Sequence, residues 1–140
     1  MVQNMSCKIY MDHAATTEML PQVRKAMEPY LMEEYGNAST SYEMGRRTRE
    51  ALEGAREQIA MLIMAKPEEI FFTSGGSESD NWVIKNVAAE KKEKGKHVIT
   101  SKIEHHAVLR SCEYLEKLGY ELTYLDVDAY GVIDLAQLRE

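Results

Sequence analysis

Residues 72–81, FTSGGSESDN, place two glycines and several hydroxyl groups between an apolar run and a helical pattern. Gly75 and Gly76 allow the backbone to approach a ligand closely, and the free N–H groups at a helix N-terminus favour an anion. Ser77 can cap the helix or offer its hydroxyl to a phosphate. Glu78 and Asp80 oppose the phosphate site because they already bring negative charge to the first turn. From these residues alone, a phosphate site and an ordinary capped turn are open alternatives.

Three sharper motifs do not fit this stretch. A P-loop needs Gly-Lys-Ser/Thr, which the sequence does not contain, and a dinucleotide fingerprint needs G-x-G-x-x-G. A nucleophile elbow needs G-x-S-x-G, whereas residues 75–79 read GGSES and lack the final glycine. The residues therefore disfavour a nucleotide-binding loop and a serine hydrolase.

A second candidate stretch is SKIEHHAV, residues 101–108. Glu104, His105 and His106 follow a predicted strand, and open α/β sheets bind ligands at the carboxyl ends of their strands. Adjacent histidines point in different directions, which makes a metal site a weak interpretation. An imidazole at this position can stack on a flat ring or move protons near neutral pH. An ordinary loop histidine remains the alternative.

Composition limits the classes of function. The 140 residues are 44% hydrophobic and 29% charged, which is typical of one globular domain. The net charge of −6 argues against a nucleic-acid partner, and no apolar run is long enough to span a membrane. Cys7 and Cys112 are consistent with reduced thiols and a cytoplasmic location. Cys112 lies on the apolar stripe of a predicted helix, so we expect a core residue rather than a reactive thiol.

Periodicity and turn signals predict strands that alternate with helices. Pro21 begins a helix that Pro29 interrupts, and Asp134 caps a last helix in which the chain stops, without a C-cap, at Glu140. The other predicted helices and strands are helices 42–64, 77–94 and 106–118 and strands 8–12, 69–73, 97–101 and 121–125. This alternation predicts an α/β fold with a parallel sheet, and the ending suggests a truncated chain.

Four stretches together carry a resemblance to a known family. They are DHAATT at 12–17, GNAST at 36–40, FTSGGSESDN at 72–81 and SKIEHHAV at 101–108. Their order and spacing resemble the N-terminal third of NifS/IscS-type cysteine desulfurases, which are class V aminotransferase relatives with pyridoxal 5'-phosphate (PLP) as cofactor. The form EHHAV favours this branch over the SufS-like one.

The resemblance implies roles for matched residues. Gly76 and Ser77 match the small and hydroxyl residues that hold the PLP phosphate in the family. His105 matches the catalytic histidine that stacks on the pyridine ring and assists proton transfers. Ala38 and Tyr42 depart from the proline and histidine that are common in the family, which puts the rigidity of that loop in doubt.

The resemblance also implies a fold, a reaction and partners. Residues 1–20 would form an N-terminal arm on the small-domain side, and residues 21–140 the first part of the large PLP-binding domain. The full enzyme would convert L-cysteine to L-alanine and an enzyme persulfide, for iron–sulfur clusters or tRNA. A homodimer and a sulfur-acceptor or scaffold protein are the implied partners; a metal, a nucleic acid and a membrane are not.

Three essential groups of the family have no match in this sequence, and one of them is the acidic partner of the pyridine nitrogen. No lysine matches the Schiff-base motif, and neither Cys7 nor Cys112 matches the catalytic cysteine. We therefore expect this chain alone to be inactive. Its three-strand sheet would expose apolar edges and faces, which predicts a partner, self-association or a rearranged structure. The alternatives are a noncatalytic remnant that binds a phosphate ligand or partner, and another class V enzyme such as a selenocysteine lyase or aminotransferase.

Overall fold

A computed structural model describes residues 9–139 and divides the chain after Ile70 into two compact units. The first unit contains two helices, α1 at Pro21–Met32 and α2 at Glu43–Leu62, followed by a 3-10 helix at Pro67–Glu69. Proline opens α1, where its fixed φ suits a first helical turn. The predicted helix 42–64 is confirmed to within two residues at either end.

Pro29 does not interrupt α1 as predicted, because the helix continues to Met32. The proline removes only one backbone donor from the helix. Its own carbonyl then accepts the amides of Glu33 and Glu34, at 2.9 and 2.8 Å, and closes the last turn. Pro29 therefore contributes to the end of α1, through its carbonyl, and does not break the helix.

The predicted strand 8–12 is wrong in the part that the structure describes, since residues 9–12 form no strand. Residue 8 lies outside the described range. Asp12 instead begins a turn, and its carbonyl accepts the amide of Ala15 at 3.1 Å. An alternating pattern makes a strand only where a neighbouring strand completes its hydrogen bonds.

The predicted strand 69–73 is also wrong. The 3-10 helix ends at Glu69, and residues 70–73 belong to neither a helix nor a strand. The Glu69 carboxylate accepts the Lys66 amide at 2.8 Å, which stabilises the short helix. The division between the two units falls within the predicted strand, after Ile70. The β-propensity of Phe71 and Phe72 is therefore not enough to form a strand here, because pairing depends on tertiary context.

The second unit alternates helices and strands as predicted. Its elements are α3 at Gly76–Lys91, β1 at His97–Ser101, α4 at His106–Lys117 and β2 at Glu121–Leu125. The two strands are parallel, with His97 opposite Glu121 and Ser101 opposite Leu125. Both strands have the predicted bounds. The described residues form a two-stranded sheet rather than the predicted three, because 69–73 does not join it.

The core of the second unit lies under α4. Cys112 and Leu115 are 1% and 2% exposed, and Leu125 of β2 is also buried. Ser111 is fully buried and satisfies its hydroxyl by donating to the Ala107 carbonyl at 2.8 Å. The prediction that Cys112 is a core residue is confirmed.

Gly119 ends α4 and directs the next strand. It has φ of 85°, a left-handed conformation that glycine adopts at low cost. Its amide donates to Glu116 and the Tyr120 amide donates to Leu115, the pair of bonds that defines a Schellman motif. The Tyr120 hydroxyl then donates to the Ala88 carbonyl of α3 at 2.7 Å. The start of β2 is thereby tied to the C-terminal part of α3.

The predicted last helix is replaced by a 3-10 helix at Gln137–Arg139. Asp134 does act as a local cap, since its carboxylate accepts the Ala136 amide at 2.8 Å. Asp126 donates its amide to the Gln137 side chain at 2.9 Å, and Val127 pairs with Ile133 in an isolated antiparallel bridge. These contacts hold residues 133–139 close to the end of β2, and the chain there forms the tighter 3-10 helix instead of an α-helix. Across residues 9–139, no helix has the length and apolar character that a membrane crossing requires.

Candidate functional site

The beginnings of α3 and α4 lie at the same edge of the second unit. Helix α4 follows β1 directly, so it starts at the carboxyl edge of the parallel strands. Helix α3 leads into β1, and the Tyr120–Ala88 bond places the C-terminal part of α3 at the amino edge. The first residue of α3, Gly76, therefore lies toward the carboxyl edge, near which α4 begins. This edge is where open α/β sheets bind ligands.

Two hydroxyls hold the turn that precedes α3. The Oγ atoms of Thr73 and Ser79 are 2.7 Å apart, and the Thr73 hydroxyl also donates to the Gly75 carbonyl at 3.2 Å. The backbone of the turn is closed by the Glu78 and Ser79 amides, which donate to the same carbonyl. The turn is thus preorganised by its own side chains, without a ligand.

Glu78 contacts the residue before the glycine pair. Its Oε2 atom accepts the Ser74 amide at 2.6 Å and the Ser74 hydroxyl at 2.7 Å. These bonds, the backbone one first, lower the pKa of the Glu78 carboxyl from its ordinary value of 4.5. In the sequence this carboxylate opposed an anion site. In the structure it is hydrogen-bonded to the amide and hydroxyl of Ser74.

Gly76 and Ser77 provide the open donors of the turn. Gly75 occupies the N-cap position with extended backbone and no side-chain cap, so the prediction that Ser77 caps α3 is wrong. The first amides of a helix have no intrahelical acceptor. Among residues 9–139, the Gly76 amide, the Ser77 amide and the Ser77 hydroxyl have no acceptor. Three donors therefore face outward at the positive end of the α3 dipole.

His105 lies at the N-cap of α4. Its φ and ψ of −60° and 147° are extended, and its Nδ1 atom accepts the Ala107 amide at 3.1 Å. The ring is exposed, and the His106 ring lies 6.2 Å away with a tilt of 52°. The histidine that the sequence singled out is thus at the predicted edge, and its backbone-capping role was not predicted.

Charged and polar groups of the neighbouring loop are paired with one another. Lys102 donates to Asp126 at 2.6 Å across the ends of the two strands, and Ser101 donates to Glu104 at 3.2 Å. Glu104 also helps raise the pKa of the Cys112 thiol, although burial is the larger cause. Cys112 is therefore unsuited to act as a nucleophile. In the described part of the chain no three His, Cys, Asp or Glu side chains are placed to hold a metal ion.

Comparison with known proteins identifies the family. The family model described as "Aminotransferase class-V" matches residues 9–140, nearly the whole chain. The chain belongs to the aminotransferase class-V family. Members of this family use pyridoxal 5'-phosphate.

Relatives within the class-V family are named cysteine desulfurase IscS. The protein of Dictyoglomus turgidum is 54% identical over 97% of this chain and 34% of its own length. The protein of Methanosarcina thermophila is 50% identical over 94% of this chain and 32% of its own. The chain therefore spans about a third of the length of these relatives.

Solved structures of the same family have the same fold. A "NifS-like protein" superposes with a TM-score of 0.87 at 38% identity, over 93% of this chain and 36% of that one. A structure described as "SspA in complex with cysteine" gives a TM-score of 0.84 at 40% identity, over 92% of this chain and 37% of that one. The predicted fold, an incomplete part of the PLP-dependent transferase fold, is confirmed.

The class-V cofactor can be tested against the residues of this edge. A phosphate needs convergent donors and room for its oxygens, and three open donors are present at Gly76 and Ser77. Nothing lies within 4 Å of where a Cβ would stand on Gly75 or Gly76, so the approach is clear. The exposed His105 ring offers a flat surface at the same edge. The residues present fit the phosphate and the ring of PLP.

One contact in this turn was missed in the sequence. Glu78 was interpreted as a competitor for an anion, yet it supports the turn through Ser74. A capping-box glutamate accepts the amide of the N-cap residue, whereas Glu78 accepts the amide of Ser74, so the sequence contained no spacing signal for this contact.

Proposed function

We propose that this chain is the N-terminal part of a PLP-dependent cysteine desulfurase. The full enzyme would convert L-cysteine to L-alanine and an enzyme persulfide, which supplies sulfur for iron–sulfur clusters or tRNA. Residues 1–20 would be an N-terminal arm, and residues 21–140 the first part of the large PLP-binding domain. The family membership and the two IscS relatives support this assignment.

The observation that carries the site is the set of open donors at the start of α3. The Thr73–Ser79 and Ser74–Glu78 bonds fix the turn, while the donors of Gly76 and Ser77 stay free of acceptors within the described range. Helix N-termini bind phosphate through such donors, and the dipole adds favourable charge. We therefore assign the phosphate of PLP to Gly76 and Ser77.

Each residue would make a distinct contribution. When bound, PLP supplies the electron-withdrawing ring that stabilises negative charge on the substrate carbon. The Gly76 and Ser77 amides and the Ser77 hydroxyl would hold and orient the phosphate. His105 would cover one face of the ring and take part in proton transfer there. Glu78 would keep the turn in shape through Ser74.

The chain by itself would not complete the reaction. Cys112 is buried with a raised pKa, and no lysine of the chain matches the one that bonds the cofactor in the family. We propose that the full enzyme is a cytoplasmic homodimer that delivers sulfur to an acceptor or scaffold protein. The isolated chain incubated with PLP and L-cysteine is expected to release no alanine above a protein-free control.

The phosphate assignment is tested with pyridoxine 5'-phosphate, which lacks an aldehyde and cannot bond to surface lysines. We expect binding by calorimetry and movement of the Gly76 and Ser77 amide resonances. Replacing Ser77 with alanine should weaken binding about tenfold, since a hydrogen bond to a charged group is worth roughly 1.5 kcal/mol. Ser77→Thr keeps the hydroxyl and should bind like the parent. Equal affinity for pyridoxine without phosphate would contradict the assignment.

A further inference from the structure

Residues 71–74 run back along one face of α3. Three side-chain contacts join this segment to the helix, and in the order of the segment they are Phe71–Trp82, Thr73–Ser79 and Ser74–Glu78. Trp82 lies three and four residues after the other two helical partners, a spacing that puts side chains on the same face of a helix. The segment and the helix therefore run in opposite directions, and the chain reverses at Gly75 and Gly76.

The aromatic pair is the contact that lies farthest from the turn. Its ring centroids are 5.4 Å apart at an interplanar angle of 74°, an edge-to-face geometry in which aromatic rings attract each other beyond the effect of buried area. Phe71 and Trp82 are 66% and 47% exposed, so the pair lies on the surface of the second unit. Removing one ring should therefore leave the core under α4 intact.

The aromatic contact closes a loop that contains the glycine turn. Two adjacent glycines have more backbone freedom than other residues, and that freedom is lost when the turn holds a ligand. A contact that restrains both ends of the loop removes part of this freedom before a ligand arrives, which is how preorganisation strengthens binding. The hydrogen-bonded pairs next to the turn restrain it locally, and the aromatic pair keeps the rest of the segment against the helix.

We propose that Phe71 and Trp82 are positioning residues of the phosphate site. Their contact holds residues 71–74 against α3 and thereby fixes the turn from which Gly76 and Ser77 donate. The rings act through the turn and not by contact with the ligand. The part of this role that concerns a ligand rests on the proposed function, whereas the restraint on the turn does not.

The restraint is tested without ligand by hydrogen exchange of the Ser74 amide, which its bond to Glu78 protects. Phe71→Ala removes one ring and should accelerate this exchange roughly twofold to tenfold, in line with the contribution of an aromatic pair. Phe71→Tyr keeps the ring and should exchange like the parent. Val83→Ala is the matched control, because Val83 follows Trp82 on α3 and is 62% exposed.

The amide resonances of α4 and of both strands show whether each variant is folded. If the alanine chain loses these resonances, Phe71→Leu provides the same test, because leucine keeps apolar volume without an aromatic ring. Exchange of the Ser74 amide at the parent rate in the folded variant overturns the proposal.

A calorimetric titration with pyridoxine 5'-phosphate tests the role in binding. The parent should bind roughly twofold to tenfold more tightly than Phe71→Ala, and Phe71→Tyr should bind like the parent. Binding should also slow the Ser74 exchange of the parent, because coupling between two sites is reciprocal, while pyridoxine without phosphate should leave that exchange unchanged.

The outcomes separate this inference from the proposed function. Equal affinities of the parent and Phe71→Ala, or a Ser74 exchange rate that binding does not change, overturn the role in binding. If the parent does not bind while Phe71→Ala accelerates the exchange, the proposed function fails and the restraint on the turn stands.

Discussion

The Glu78 carboxylate is bonded twice to Ser74, through the amide at 2.6 Å and the hydroxyl at 2.7 Å. The contact joins the first turn of α3 to Ser74, which directly precedes Gly75 and Gly76. It directs the Glu78 carboxylate to the amide and hydroxyl of Ser74, while the carboxylate keeps its negative charge. The pH at which Glu78 is protonated is therefore also a measure of how firmly this turn is held.

We predict that Glu78 titrates below pH 4.5 in the folded chain. Its hydrogen bonds to Ser74 lower the pKa in the folded state, so their stabilisation is present above the unfolded value and disappears as the pH falls through the folded one. Carboxyl ¹³C shifts measured against pH give the midpoint. Ser74→Ala should raise it only part of the way, because the backbone bond remains. A parent midpoint at or above 4.5 would contradict the role of this contact.

The Tyr120 hydroxyl provides a second prediction. Tyr120→Phe removes the 2.7 Å bond to the Ala88 carbonyl and should lower the free energy of unfolding by about 0.5–1.5 kcal/mol. Urea unfolding followed by circular dichroism measures the change. Tyr130→Phe is the matched control, since Tyr130 is 92% exposed and its hydroxyl has no partner among residues 9–139. Equal losses in the two variants would show that the bond to Ala88 contributes nothing specific.

A third prediction concerns the thiol of Cys112. Burial and Glu104 raise its pKa, so the thiolate is scarce near pH 8 and the sulfur is covered. In a Cys7→Ser chain, which leaves one thiol to report, a disulfide reagent should react at least about tenfold more slowly in buffer than in urea. Labelling at the same rate in both solvents would place Cys112 outside the core.

Strands that pair within the chain were predictable from sequence. HVITS and ELTYL occupy the predicted residues, because each is short, β-prone and bounded by a glycine turn or a helix end. Their parallel pairing requires a crossover, which α4 provides within a few residues of either strand. Gly119 was also predictable, since a glycine directly after an apolar helical stripe is typical of a C-terminal cap.

Structure that depends on a partner or on one side chain was not predictable. Residues 69–73 have the composition of a strand, but pairing is a tertiary property that the local pattern does not contain. At the candidate site, the local pattern does not distinguish Gly75 from Ser77 as the N-cap of α3. The choice of Nδ1 of His105 as a helix cap depends on a single rotamer, which no spacing rule encodes.

The shared direction of α3 and α4 has a consequence for selectivity by charge. Each helix presents about half a positive charge at its start. Both starts lie at the carboxyl edge of a chain whose net charge is −6. Ions in solution screen distant charges beyond about 8 Å at physiological salt, so an anion at this edge experiences these helix ends and the nearby side chains of Glu78, Glu104, Lys102 and Asp126 rather than the net charge of the chain. A protein that repels anions as a whole can thus attract one locally, and its overall charge says little about which small molecules this edge will hold.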